Sequence, residues 1–213
     1  MNKYQKRGLL LVVLGLILVA ISLGIHAMQE KQDQIAGANA QILLEHMKLN
    51  KPSMNVTVDT PSFEDTPGQE TAPQEETVPV VDTSMPTKEY LGYTMIGTLR
   101  VPDVGIELPI MSTWSYDLLN VAPCRYSGSI GGGDLIILGH NYRSHFTPLH
   151  QTRVGDTVEF EDANGVKYQY VVEAIEYLHK SEGERLPSDY ALSLFTCTAD
   201  GQSRVVIRCN PAA

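Results

Sequence analysis

Cysteine is scarce in this chain, and no two cysteines stand close together. The three, Cys124, Cys197 and Cys209, fall in the C-terminal half of 213 residues. They make no CxxC pair and no cysteine–histidine cluster of the kind that holds structural zinc. Three thiols are too few for a disulfide framework, and the odd number leaves at least one free unless a second chain pairs with it. Positive charge is also short: 16 Lys and Arg stand against 25 Asp and Glu, a net charge of −9. So acidic a chain has no general attraction for phosphate backbones, which sets nucleic acid aside as a partner. Hydrophobic residues still make up 43%, enough for a packed core.

Long apolar runs are rare too, and the one present is informative. Gly8–Ile25 reads GLLLVVLGLILVAISLGI, eighteen residues without a charge. That length crosses a bilayer core as a helix. A cleaved signal peptide would have a shorter apolar region, roughly 7–15 residues, ending in a small-x-small site. Ile25-His26-Ala27 matches that site poorly, so an uncleaved anchor is expected over 8–27. Lys3, Lys6 and Arg7 precede it and predict a cytoplasmic tail at 1–7, with everything after residue 27 outside the cell. Residues 28–50 place apolar side chains at Ile35, Ala38, Ile42, Leu43 and Met47, which suits one face of a juxtamembrane helix. That helix is free to pack on the following domain or on a second copy.

Residues 51–88 change character. They hold six of the twelve prolines and seven acids. Such composition cannot bury enough apolar surface to offset the entropy of ordering, and predicts a disordered, self-repelling spacer. Much of the acidity therefore belongs to a tether and says little about a substrate. From residue 89 to 213 the pattern is rich in strands. Met95–Val101 and Ile106–Met111 flank the turn Pro102-Asp103-Val104-Gly105. Ser115–Asn120 suits a turn or two of helix, and Asp134–Gly139 is a short buried strand. Thr157–Asp162 and Val166–Leu178 flank Asn164-Gly165, a strong hairpin signal. Ala191–Cys197 and Arg204–Cys209 supply the last two strands. The expectation is a mainly β domain: a closed or nearly closed barrel of about eight strands with short helices.

Three reactive side chains stand at strand ends. His140 ends DLIILGH, Cys197 ends ALSLFTC, and Arg204 opens RVVIRC. A cysteine nucleophile needs its thiolate, a histidine to share the proton and a donor facing the developing oxyanion. Taken singly, each has an ordinary reading: a packing cysteine, a solvated edge histidine, a surface arginine. Their conjunction suits a site on the rim of a barrel, and from these residues alone both readings stand.

The stretch Leu194-Phe195-Thr196-Cys197 resembles the TLxTC signature of the sortases, membrane-anchored cysteine transpeptidases of Gram-positive bacteria. Gly139-His140 is similar to their histidine position, and Arg204 to the arginine that opens their last strand. Ile96–Pro102 and Gly105–Ile110 resemble their first two strands. The resemblance covers about Tyr93 to Cys209, and Ser193 departs conservatively from the usual Thr. It implies a sortase-like barrel and a thioester mechanism. Cys197 would attack a sorting signal near the carboxyl terminus of a secreted protein. Arg204 would hold the oxyanion, His140 would protonate the leaving amine and Thr196 would shape the substrate pocket. An amine of peptidoglycan or a pilin would then take the acyl group. No metal or organic cofactor is required.

Several alternatives accompany that reading. Arg208, four residues on, faces the same side of the strand as Arg204. His145 is a second general-acid candidate, and His140, His145 and His150 are a conceivable metal cluster. Cys124 and Cys209 are packing thiols or, outside the cell, a disulfide. An L,D-transpeptidase lacks support, because no His-Gly-x-x-x-x-Cys context surrounds Cys197. A hydrolytic extracellular cysteine peptidase and a non-enzymatic tethered binding module remain as rivals. The lack of a second hydrophobic span before Ala213 weighs against a pilin-polymerising member. The short His179–Tyr190 segment weighs against a long helical insertion.

Overall fold

The computed structural model describes residues 3–50 and 85–212, with side chains from residue 11. The spacer expected at 51–88 lies outside the described residues as far as residue 84. Its last positions do not belong to a spacer: Met85 is buried in the core and Lys88 opens a strand.

One continuous helix, α1 (Lys3–Leu49), spans the expected anchor and juxtamembrane segments. At 1.5 Å per residue it is about 70 Å long. Its apolar residues from Leu11 to Ile25 are exposed, as befits a helix whose neighbours would be lipid. The C-terminal part is docked on the β domain. The docked face is the expected one only in part. Leu43 is buried and Met47 packs on the core, but Ile35, Ala38 and Ile42 point outward, and Ala36, Ala40 and Leu44 are buried in their stead. Small side chains at 36, 37 and 40 let the helix backbone approach the domain closely, which the bulkier isoleucines would prevent.

Nine strands follow: β1 (Lys88–Tyr90), β2 (Tyr93–Val101), β3 (Ile106–Met111), β4 (Cys124–Ser127), β5 (Leu135–Leu138), β6 (Thr157–Asp162), β7 (Lys167–His179), β8 (Leu192–Cys197) and β9 (Ser203–Pro211). A short helix, α2 (Tyr116–Leu119), precedes β4, and the Ser115 hydroxyl caps it by accepting from Leu118 N at 3.1 Å. The sheet runs β1-β2-β3-β4-β5-β8-β9-β7-β6, and β6 returns to β2, so eight strands close into a barrel with β1 added at one edge. The pairings β3–β4 and β5–β8 are parallel and the others antiparallel. The Asn164-Gly165 hairpin forms as the sequence predicts. Asp162 organises it by accepting from Asn164 N and Val166 N, both at 2.9 Å.

Residues such as Leu99, Ile110, Ile137, Phe160, Leu194 and Ile207 fill the barrel. A second apolar cluster lies on the outer face, where Ile136, Leu178, Phe195 and Val206 meet Leu186 of the β7–β8 connection. Strands β5, β8 and β9 are therefore covered on both sides. This explains why LIIL and LSLF read as continuous apolar runs instead of alternating ones.

Candidate active site

Strand register brings the three reactive residues together. Cys197 and Arg204 are direct cross-strand partners at the β8–β9 end. Opposed side chains on one face of such a pair have Cβ atoms about 5 Å apart. The connecting turn is well tied: Thr198 N donates to Ser203 O at 2.9 Å and Ser203 N to the Thr198 hydroxyl at 3.1 Å. Next to β8, β5 runs parallel, with Leu138 opposite Phe195 and Gly139 N donating to Phe195 O at 3.1 Å. Two residues beyond Leu138 is His140; two beyond Phe195 is Cys197. All three side chains are half-buried.

Gly139 permits this arrangement. A Cβ there would lie 2.4 Å from the ring of buried Phe146, so a larger residue would push the strand end away from the barrel. The chain then turns tightly, with Phe146 N donating to His140 O at 3.1 Å. The His140 ring packs on Tyr142, ring centroids 4.6 Å apart. Burial lowers its pKa below the ordinary imidazole value and so favours the neutral form.

The site opens onto a groove of about 300 Å³. Its lining includes His140, Cys197 and Arg204, an apolar floor of Leu138, Leu178 and Phe195, and a wall formed by Leu186. The far side carries an aromatic group. Trp114 stacks on Tyr126 at 5.8 Å, and Tyr126 meets Phe195 edge-on at 5.4 Å. The groove thus runs over the outer face of β5, β8, β9 and β7. It is not the barrel rim that the strand-end pattern suggests.

Thr196 does not line this groove. It shares the inward face of Leu192 and Leu194, is fully buried, and its hydroxyl has no hydrogen-bond partner among the described residues. Alternation along a strand requires this, since neighbours point to opposite faces. Its place in a substrate pocket has no direct contact to support it.

The rival arginine has a different occupation. Arg208 lies on the same outer face as Arg204, but is 1% exposed beneath the β7–β8 connection. Its guanidinium donates to Leu186 O at 2.6 Å, Arg185 O at 2.7 Å, and the Ser188 and Ser193 hydroxyls at 3.0 Å each. Two of its nitrogens meet Glu176 Oε2 at 3.1 and 3.0 Å. Arg208 therefore pins the groove wall. Arg204, by contrast, makes one long bond, 3.3 Å to Ser203 O, and is free to meet a ligand.

His145 is turned inward and 1% exposed, and neither ring nitrogen has a well-formed hydrogen bond among the described residues. Burial, reinforced by the nearby His140, lowers its pKa to about 4. His150 contacts Asn141 Oδ1 at 3.2 Å. No group of three or more metal-ligating side chains assembles among the described residues. Cys124 and Cys209 are free and buried, and burial raises both thiols to about 12.

The groove's wall, floor and aromatic side were not visible in sequence. Leu186 and Trp114 sit in irregular segments with no period, and Phe195 reads as ordinary core.

These features define a mixed eight-stranded barrel with a thiol, an imidazole and a guanidinium gathered at one outer groove. The Sortase domain family profile matches residues 99–212, just over half the chain, and the chain belongs to the sortase family, whose members are transpeptidases. Solved structures share the fold. Sortase C1 from Streptococcus suis is 23% identical with a TM-score of 0.51, covering 56% of this chain and 73% of that one. A lid mutant of sortase A from Corynebacterium diphtheriae is 22% identical with a TM-score of 0.51, covering 56% and 70%. Clostridium perfringens sortase C, solved with the C-terminal cell wall sorting motif, is 21% identical with a TM-score of 0.50, covering 56% and 71%. No curated protein matches the sequence.

Proposed function

We propose that this chain is a membrane-tethered cysteine transpeptidase. It would cleave a sorting signal in secreted proteins and transfer the acyl group to an amine of peptidoglycan or a pilin. The observation that carries the reading is the cross-strand pair Cys197–Arg204 beside the strand-end His140, at the mouth of an apolar groove.

The roles follow from the chemistry. Neutral His140 takes the proton of the Cys197 thiol, and the thiolate attacks the scissile carbonyl carbon. The carbonyl oxygen becomes an oxyanion, which the Arg204 guanidinium meets with charge-assisted hydrogen bonds. His140, now protonated, gives its proton to the leaving nitrogen. The C–N bond breaks and a thioester remains on Cys197. An incoming amine attacks that thioester and loses its proton to His140. The thiolate departs and a new amide forms. The apolar floor suits an extended peptide with an apolar side chain facing Phe195 and Leu178.

The basic residues before the apolar helix support a domain outside the cell. A reporter fused after Ala213 should work only if it functions in the exterior; cytoplasmic activity would reverse the topology. The test of the reaction is mass spectrometry of the full chain incubated with sorting-signal peptides and an amine. A thioester adduct on Cys197 and an amide product are expected. Release of the free acid alone would make the protein a hydrolytic peptidase. No adduct with any peptide would leave a binding module.

A further inference from the structure

The juxtamembrane helix reaches the site. Asp33 of α1 lies against the loop that follows His140. Its carboxylate accepts from Ser144 N at 3.0 Å and from Arg143 N at 3.3 Å, and the Ser144 hydroxyl donates to the same carboxylate. That hydroxyl also lies 3.0 Å from the Asp33 carbonyl. One turn on, Gly37 abuts the loop so closely that a Cβ there would sit 2.7 Å from Ser144 Cβ. Helix and loop thus meet through a carboxylate clamp and a glycine contact.

The clamp bears on His140 through a short path. The imidazole makes no hydrogen bond to protein among the described residues, so packing sets its orientation. The surface it packs on is Tyr142, next in the chain to the clamped Arg143 and Ser144. The Tyr142 carbonyl accepts from His145 N and Thr147 N at 3.0 Å each, and its ring packs at 5.5 Å on buried His145. These bonds close the turn on itself, and Asp33 ties it to α1.

We propose that Asp33 is a positioning residue for His140: by holding the Arg143 and Ser144 amides, it fixes the Tyr142 face against which the imidazole rests. The site is then complete only with the anchor helix docked. Asp33 stands eight residues beyond Ile25, about 12 Å along the helix from the apolar segment. The clamp therefore also keeps the site close to the membrane surface. This inference rests on the transpeptidase reading for what His140 does, and on these contacts for how it is held.

The test uses the full chain in nanodiscs. Asp33→Ala removes the acceptor, Asp33→Asn keeps one carbonyl oxygen for Ser144 N, and Lys48→Ala breaks a different tie between α1 and the barrel, the 2.9 Å ion pair with Glu107. A misplaced general acid lowers turnover more than binding, so Asp33→Ala should cut kcat for peptide cleavage by about tenfold or more with KM little changed. Asp33→Asn should recover most of that loss, and Lys48→Ala should stay near the parent. The imidazole proton resonances of His140, shifted by the Tyr142 ring, should move in Asp33→Ala and stay put in Lys48→Ala. The proposal falls if Asp33→Ala leaves those resonances in place. It falls equally if Lys48→Ala is as damaging, or if Asp33→Asn is no better than Asp33→Ala. The resonances need no turnover to be read. A parent chain that cleaves nothing would sink the transpeptidase reading while leaving the clamp to be judged by the spectrum.

Discussion

Arg204 and Arg208 differ by four positions on one face of one strand, and substitution should separate them cleanly. Arg208→Ala removes a 1% exposed guanidinium. It leaves Glu176 without its ion pair and the Leu186 and Arg185 carbonyls without their donors. Breaking a buried pair by removing one partner costs about 3–5 kcal/mol. Partial exposure of Glu176, 33% at the side chain, argues for the lower end. For a domain of this size about 3 kcal/mol is a fall in Tm on the order of 10 °C. Arg204→Ala removes one 3.3 Å bond from a half-buried side chain, so stability should change by less than about 0.5 kcal/mol. Its cost should appear in turnover, on the order of 10²–10³-fold, as for loss of an oxyanion donor. Arg204→Lys should rescue little, because a point charge does not reproduce the guanidinium fork. Thermal unfolding of the full chain beside peptide-cleavage rates tests both. The reasoning is refuted if Arg208→Ala unfolds within a degree or two of the parent. It is also refuted if folded Arg204→Ala keeps full turnover.

Cys197→Ala should abolish both thioester formation and turnover, seen by intact-mass analysis; retained activity in the folded variant would reduce this cysteine to packing. His140→Ala should lower peptide cleavage by roughly 10²–10⁴-fold while leaving a trace, measured as initial rates at saturating peptide. The fold holds His145 neutral, with a pKa of about 4 against about 6.5 when unfolded. A depressed base adds stability that is full above pH 6.5 and is lost as pH falls towards 4, amounting to about 3 kcal/mol. Urea unfolding at several pH values should show this decline, and His145→Leu should flatten it between pH 6.5 and 5. A methanethiosulfonate reagent should label Cys197 in the native chain and spare Cys124 and Cys209, whose thiols burial protects; equal labelling of all three would contradict the packing described.

Long segments with a strong local pattern were legible from composition and spacing. The apolar run in α1, the strands β2, β3 and β5 to β9, and the Asn164-Gly165 hairpin each carry their own signal, because one residue's backbone preference and its neighbours' hydrophobicity agree. The triad types at strand ends were legible too, since a reactive side chain directly after an apolar run is a local feature. Strands β1 and β4 were not. Lys88–Tyr90 and Cys124–Ser127 are short and carry charged or polar residues. Their partners, β2 for one and β3 and β5 for the other, hold them in place.

What tertiary structure alone decided is which face each residue serves. Arg204 and Arg208 are alike in sequence, and only the β7–β8 connection folding over one of them makes it a pin and leaves the other open. Thr196 adjoins Cys197, yet strand alternation turns it into the barrel. Ile35 and Ile42 looked like part of the buried stripe of α1 with Leu43 and Met47, which do pack on the domain, but close approach to the barrel selected Ala36, Gly37 and Ala40 in place of the isoleucines. That approach brings Asp33, more than a hundred residues away in sequence, against the loop after His140. No local rule links positions so far apart; only closure of the barrel and docking of the helix bring them into contact.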